Sequence, residues 1–130
     1  MGRRWRRLQI ALACDLSVAS EDAQIGWPAI MEALIPGMGT YRLPRFIGLG
    51  RARRMVLTGD LIGAAEAERI GLLDWLVPQG QLDEKVRGVV ATVLKGGQTA
   101  PAFSKKLVTR AFDFEFNDSL SLCLEFQRSH

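Results

Sequence analysis

Ile35-Pro36-Gly37-Met38-Gly39-Thr40-Tyr41-Arg42-Leu43-Pro44-Arg45 is the stretch whose reading decides the fold. A proline followed by two glycines around one methionine is loop chemistry, because proline fixes its own φ and glycine opens backbone angles that other residues avoid. Thr40 then stands where a hydroxyl could cap a helix through Ile47, with Pro44 as a tolerated early interruption. Gly48 and Gly50 are expected to break that helix. On one side of the stretch lies Ala11-Leu12-Ala13-Cys14-Asp15, and on the other Thr58-Gly59-Asp60.

Working outward, Leu8 to Cys14 reads as the end of a buried helix. Leu16, Val18 and Ile25 fit short strands separated by Ser-Glu-Asp turn chemistry. Arg51 to Thr58 reads as a helix with Ala52, Met55 and Val56 on one face, and Gly59 stops it. Ala64 to Ile70 is a further helix with Gly71 at its C-terminal stop. Leu72 to Val77 is apolar enough for a buried strand. Leu82 to Lys95 is amphipathic, with Val86, Val89, Val90 and Val93 as the expected buried stripe. Helices over Pro101 to Phe112 and Ser119 to Arg128 complete the chain, with Asp118 or Ser119 as the cap of the second.

The chain has 130 residues and is 48% hydrophobic, so a core for one small domain is expected. No run of about 20 apolar residues occurs, so no transmembrane helix is expected. Cys14 and Cys123 have no metal-ligand spacing and read as free thiols of a reducing compartment. The single histidine is His130, which argues against a histidine-based catalytic or metal site. The net charge of +3 is concentrated in two clusters, Arg3, Arg4, Arg6 and Arg7, and Arg51, Arg53 and Arg54. Both read as solvated surface or as phosphate-binding groups.

The spacing of these pieces, with Ala65-Glu66-Ala67-Glu68-Arg69-Ile70-Gly71-Leu72 after Thr58-Gly59, resembles the C-terminal portion of the enoyl-CoA hydratase/isomerase (crotonase) superfamily. The resemblance runs from about Ile10 to about Arg110 and more weakly beyond. It implies an α/β fold, a crotonase-like ββα spiral truncated at both ends, mostly helical with short strands and ending in a helical oligomerisation part. It divides the chain into a basic N-terminal arm over residues 1–9, a partial core over 10–100 and a helical oligomerisation segment over 101–130. The arm need not be in frame: Arg3 to Leu8 written CGG-CGG-TGG-CGG-CGG-CTG reads as five glycines in the neighbouring frame.

The resemblance also implies a chemistry. An acyl-CoA thioester carbonyl is held between two backbone N–H groups, donors worth about 3–4 kcal/mol each in a transition state. One donor belongs to a segment preceding everything in this sequence. The other belongs to a glycine-rich turn that falls here at Trp5 to Arg7, with Arg6 in a glycine position. The first acid/base glutamate falls at Gln9 and the second at Ala29, with Glu32 as a possible substitute. An amide or a methyl group is no general base. The acyl pocket is expected around Trp27, Pro28, Gly37, Met38 and Gly39. No metal and no cofactor beyond the coenzyme A thioester substrate are implied.

The reading that follows is a cytoplasmic protein of this family that acts on acyl-CoA thioesters, weakly active or inactive, forming a trimer or hexamer or pairing with a full-length paralogue. The alternatives are a non-catalytic assembly module and a nucleic-acid binder using the Arg-rich arm, in which Trp5 could stack on a base.

Overall fold

A computed structural model describes residues 4–128, without the side chains of Arg4, Trp5, Arg6 and Ala29. The expectations placed on the side chains of Trp5, Arg6 and Ala29, on Arg3 and on His130 therefore lie outside the described residues. The described residues form two compact units that divide between Val86 and Arg87.

In the first unit, helix α1 (Arg4–Ala13) buries Leu8 and Leu12, one turn apart on a single face. Strands β1 (Val18–Ser20) and β2 (Gln24–Gly26) follow, as the short apolar runs suggest. A single 3-10 turn spans Pro28–Glu32, and α2 (Gly39–Ile47) buries Gly39, Leu43 and Ile47, the four-residue spacing of one helical face. Gly48, at φ 81°, makes the joint to α3 (Leu49–Thr58), which buries Ala52 and Met55. Gly59 ends α3 in the left-handed conformation. Strand β3 (Leu61–Gly63) runs into α4 (Ala64–Arg69), and β4 (Trp75–Val77) closes the unit.

The strands form two small pairs. β1 and β4 are parallel, with Val18 opposite Trp75, and β2 and β3 are antiparallel, with Ile25 opposite Ile62. Gly26 is required in the second pair, since a Cβ there would come within 2.9 Å of the Leu61 backbone. The first pair is held by a reciprocal clip just before the strands. The Ser17 N–H and hydroxyl donate to Asp74 Oδ2 at 2.7 and 3.0 Å, and the Asp74 N–H donates back to the Ser17 hydroxyl at 3.2 Å.

Several expectations are corrected. Thr40 does not cap α2, because the helix starts one residue earlier; its hydroxyl donates back to the Gly37 carbonyl at 2.8 Å. Gly50 does not break a helix but lies in the first turn of α3. Leu72 and Leu73 are buried but not in a strand, because their N–H groups both turn back to the Ala67 carbonyl.

Helix α5 (Leu82–Leu94) crosses from the first unit into the second and has no buried residue. Val86, Val90 and Val93 are exposed and Val89 is half-buried, so no residue of the expected stripe is buried. In the second unit α6 (Thr99–Thr109) meets α7 (Phe116–Arg128) through stacked rings of Phe103 and Phe126, with centroids 4.1 Å apart. α7 begins at Phe116, so Asp118 lies in its first turn and Ser119 donates its N–H to the Glu115 carbonyl, and neither is the cap.

Because two of the three Ser17–Asp74 bonds go to a charged acceptor, Asp74→Ala is expected to cost about 1–2 kcal/mol. Urea titration checks this, and an unchanged midpoint would show that the clip holds nothing.

Candidate functional site

Of the residues expected from the sequence to form the site, Trp27 meets Gly39 and Gln9 meets the Pro36–Gly39 loop. Trp27 follows directly on β2 and is completely buried. Its ring lies against Gly39, where an added Cβ would run into the six-membered part of the indole. Gly39 is therefore glycine because the start of α2 presses on an aromatic face. The indole Nε1 is buried and has no hydrogen-bond partner among the described residues. A buried donor left unpaired costs about 1–3 kcal/mol, so such a group is a place for a water or a ligand oxygen.

Gln9 reaches the same loop from α1. Its Nε2 donates to the Pro36 carbonyl in a short bond that spans 27 residues of chain. Only the nitrogen end of the amide can serve a carbonyl, so the carboxamide orientation is fixed by the contact. Next to it, Gly37 has φ 57°, and a Cβ there would stand 3.3 Å from Gln9 Nε2. The loop is thus held by a ring beneath Gly39 and an amide on Pro36.

Of the remaining expected pocket residues, Pro28 is half-buried while Gly37 and Met38 are exposed. Glu32 ends the 3-10 turn as an exposed carboxylate. It is followed by Ala33 at φ 54°, a left-handed angle that a β-carbon disfavours. Nothing in the sequence marks this position, since alanine is not a turn residue. Met31 and Ile35 are large apolar side chains left 79% and 83% exposed.

A second group of side chains lies between α3, β3 and α4. Arg69 Nε and Nη2 donate to both oxygens of Glu66 at 2.6 and 2.7 Å. That bidentate bond holds the Glu66 carboxyl below its ordinary range, with Arg51 adding a smaller electrostatic pull, and it raises Arg69. Sequence reading singled out Arg51, Arg53 and Arg54 but missed Glu66 and Arg69 as their neighbours. The i, i+3 spacing of Glu66 and Arg69 on one helix was the available signal. Among the described residues no three His, Cys, Asp or Glu side chains gather to hold a metal, and no helix is long and apolar enough to cross a membrane.

Two substitutions report on the loop. Gly39→Ala would ordinarily stabilise a helix by about 0.5–1 kcal/mol. Here it is expected to destabilise by about 1–3 kcal/mol through collision with Trp27. Ala33→Gly is expected to stabilise by about 0.5–1 kcal/mol by releasing the left-handed strain. Denaturant midpoints give both signs, and a stabilising Gly39→Ala would show that the ring does not press on α2.

The enoyl-CoA hydratase/isomerase family profile matches residues 8–127. The "Probable enoyl-CoA hydratase echA8" of Mycobacterium tuberculosis is 36% identical over 113 residues, which are 86% of this chain and 44% of that protein. The "Short-chain-enoyl-CoA hydratase" of Clostridioides difficile is 33% identical over 115 residues, 88% of this chain and 74% of that protein. A Thermobifida fusca YX protein assigned as an enoyl-CoA hydratase, solved in complex with CoA, superposes with a TM-score of 0.89 at 29% identity, over 94% of this chain and 48% of that one. The chain thus spans about half the length of most of the relatives it matches. A match over nearly the whole sequence, on a fold that superposes this closely, makes the chain a member of the enoyl-CoA hydratase/isomerase family with a crotonase-like α/β fold, mostly helical with a few short strands.

Proposed function

We propose that this chain contributes to binding an acyl-CoA thioester and carries out little or none of the proton transfer that hydration needs. The observation that supports this most directly is the bond from Gln9 Nε2 to the Pro36 carbonyl. The family resemblance assigns a glutamate to position 9 as an acid/base group. With one N–H bonded to the loop, the amide retains a second N–H donor and the acceptor Oε1, and neither takes up a proton as a base does. Position 29, the other glutamate position, is alanine. Trp27, Pro28, Gly37, Met38 and Gly39 are the residues we assign to the acyl pocket. Glu32 is the carboxylate nearest to them in sequence, a substitute base only if it turns inward from its exposed position.

The thioester ligand is supported by the family membership and by the Thermobifida fusca relative that holds CoA. General acid/base groups contribute about 10²- to 10⁴-fold to rate. The chain is therefore expected to hydrate crotonyl-CoA slower than an acid/base-competent family member by at least that factor. Loss of the enoyl absorbance checks this, and rapid loss with purified protein would sink the reading. The double substitution Gln9→Glu, Ala29→Glu is expected to leave turnover low. The new carboxylate at position 9 would face the Pro36 carbonyl rather than a substrate.

A second reading, assembly through apolar surface, is favoured by the exposure of Met31, Ile35 and Met38 in the first unit and of Phe112, Phe116 and Leu124 in the second. Large exposed apolar patches are uncommon on soluble monomers. Self-association in light scattering at micromolar concentration is expected, and a monomer mass across that range would count against assembly.

A further inference from the structure

The groove between α3, β3 and α4 shares no residue with the Pro36–Gly39 loop. It is an open groove of about 330 Å³, inside the range of about 300–1,000 Å³ in which small-molecule sites fall. Its floor is apolar, made of the buried Met55 and the half-buried Ile62 and Ile70. Its rim carries three guanidiniums, Arg51, Arg54 and Arg69, against two carboxylates, Asp60 and Glu66. Glu66 is committed to Arg69 by its two short bonds, which fix the plane of that guanidinium. Arg54 approaches Asp60 only at 4.0 Å, the outer limit of an ion pair. Arg51 acts on Glu66 only through its field and makes no ion-pair contact among the described residues.

The wider field has the same sign. From Ala33 to Gly59 the chain carries Arg42, Arg45, Arg51, Arg53 and Arg54 and no acidic residue. An uneven charge distribution of this kind concentrates anions at the groove mouth. Guanidinium forks match phosphate oxygens in geometry as well as charge. The apolar floor beneath them suits a ring better than a bare ion.

We propose that this groove binds a small phosphorylated ligand with a flat apolar body, of the nucleotide class, its phosphate held by Arg51 and Arg54 beside a pre-set Arg69 and its ring over Met55, Ile62 and Ile70. The inference is independent of the acyl-thioester reading, since the residues concerned are different.

ADP is the probe, followed on the full chain by the arginine Nε–Hε and backbone amide NMR signals in about 0.1 M salt, where long-range screening is already substantial. Saturable shifts confined to Arg51, Arg54, Met55, Ile62 and Arg69 are expected, with ADP binding more tightly than either pyrophosphate or adenosine. Arg51→Gln, Arg54→Gln is expected to weaken ADP about tenfold or more, the scale of losing one charge-assisted contact. Arg42→Gln, Arg53→Gln removes the same charge outside the groove and is expected to change affinity less than about threefold, an effect of general field alone. Arg51, Arg53 and Arg54 are exposed and Arg42 is half-buried, and thermal melts of both variants check that they remain folded. Shifts spread evenly over all arginines would overturn the proposal. So would equal losses in the two variants, pyrophosphate binding as tight as that of ADP, or no saturable binding.

Discussion

The burial of Trp27 against Gly39 is the contact on which the first unit depends. Fully burying one large apolar side chain is worth roughly 3 kcal/mol, and here it joins β2, α1 and the start of α2 into one cluster with Leu8, Leu12, Leu43 and Ile47. The ring needs a flat neighbour, and glycine at 39 supplies one. The entry angle of α2 is then fixed, and with it the positions of Leu43 and Ile47 one and two turns further on. α3 follows through the left-handed joint at Gly48. The strands contribute less: two pairs of three residues each are too short to organise a domain by themselves, and the Ser17–Asp74 clip does for one pair what a longer ladder would otherwise do.

The same packing decides what the loop can do chemically. Pro36 and Gly37 are brought beside Gln9 because α1 lies across the start of α2 in the cluster that Trp27 centres. At that distance a neutral amide gains a hydrogen bond, while an ionised carboxylate would set two acceptors against each other. Gln9, the residue at the position we assign to the base under the proposed function, is thereby a residue that holds the loop. The unpaired indole N–H of Trp27 is the remaining polar group in this cluster without a partner among the described residues.

Much of this was legible in the sequence, and the parts that were not have physical reasons. The helices around Ala52 and Ala64 could be read because glycines at 48, 59 and 71 mark their ends with left-handed angles. The family could be read from the Ile35–Arg45 stretch and its two neighbours. The valine stripe of α5 was misread because periodicity states which face is apolar, not whether anything covers it. Thr40 was misread because a hydroxyl beside a helix start can donate backward as readily as cap forward. The Ser17–Asp74 clip and the Gln9–Pro36 bond join residues 57 and 27 positions apart, a separation at which no local pattern exists. Ala33 carries its left-handed angle without any turn residue to signal it.

The central claim is that Gln9 serves the loop as a hydrogen-bond donor rather than the reaction as a base. Its most direct test is the stability of Gln9→Glu against the parent chain as a function of pH. A glutamate facing the Pro36 carbonyl bonds only when protonated, so its pKa in the folded protein is raised above the unfolded value. Its stabilising contribution is then present below the unfolded pKa and lost as pH rises through the folded one. The account predicts a variant less stable than the parent by about 1–3 kcal/mol near pH 7, with the deficit shrinking as the pH is lowered into the carboxylate range. A variant as stable as the parent near pH 7, or a deficit independent of pH, would contradict it.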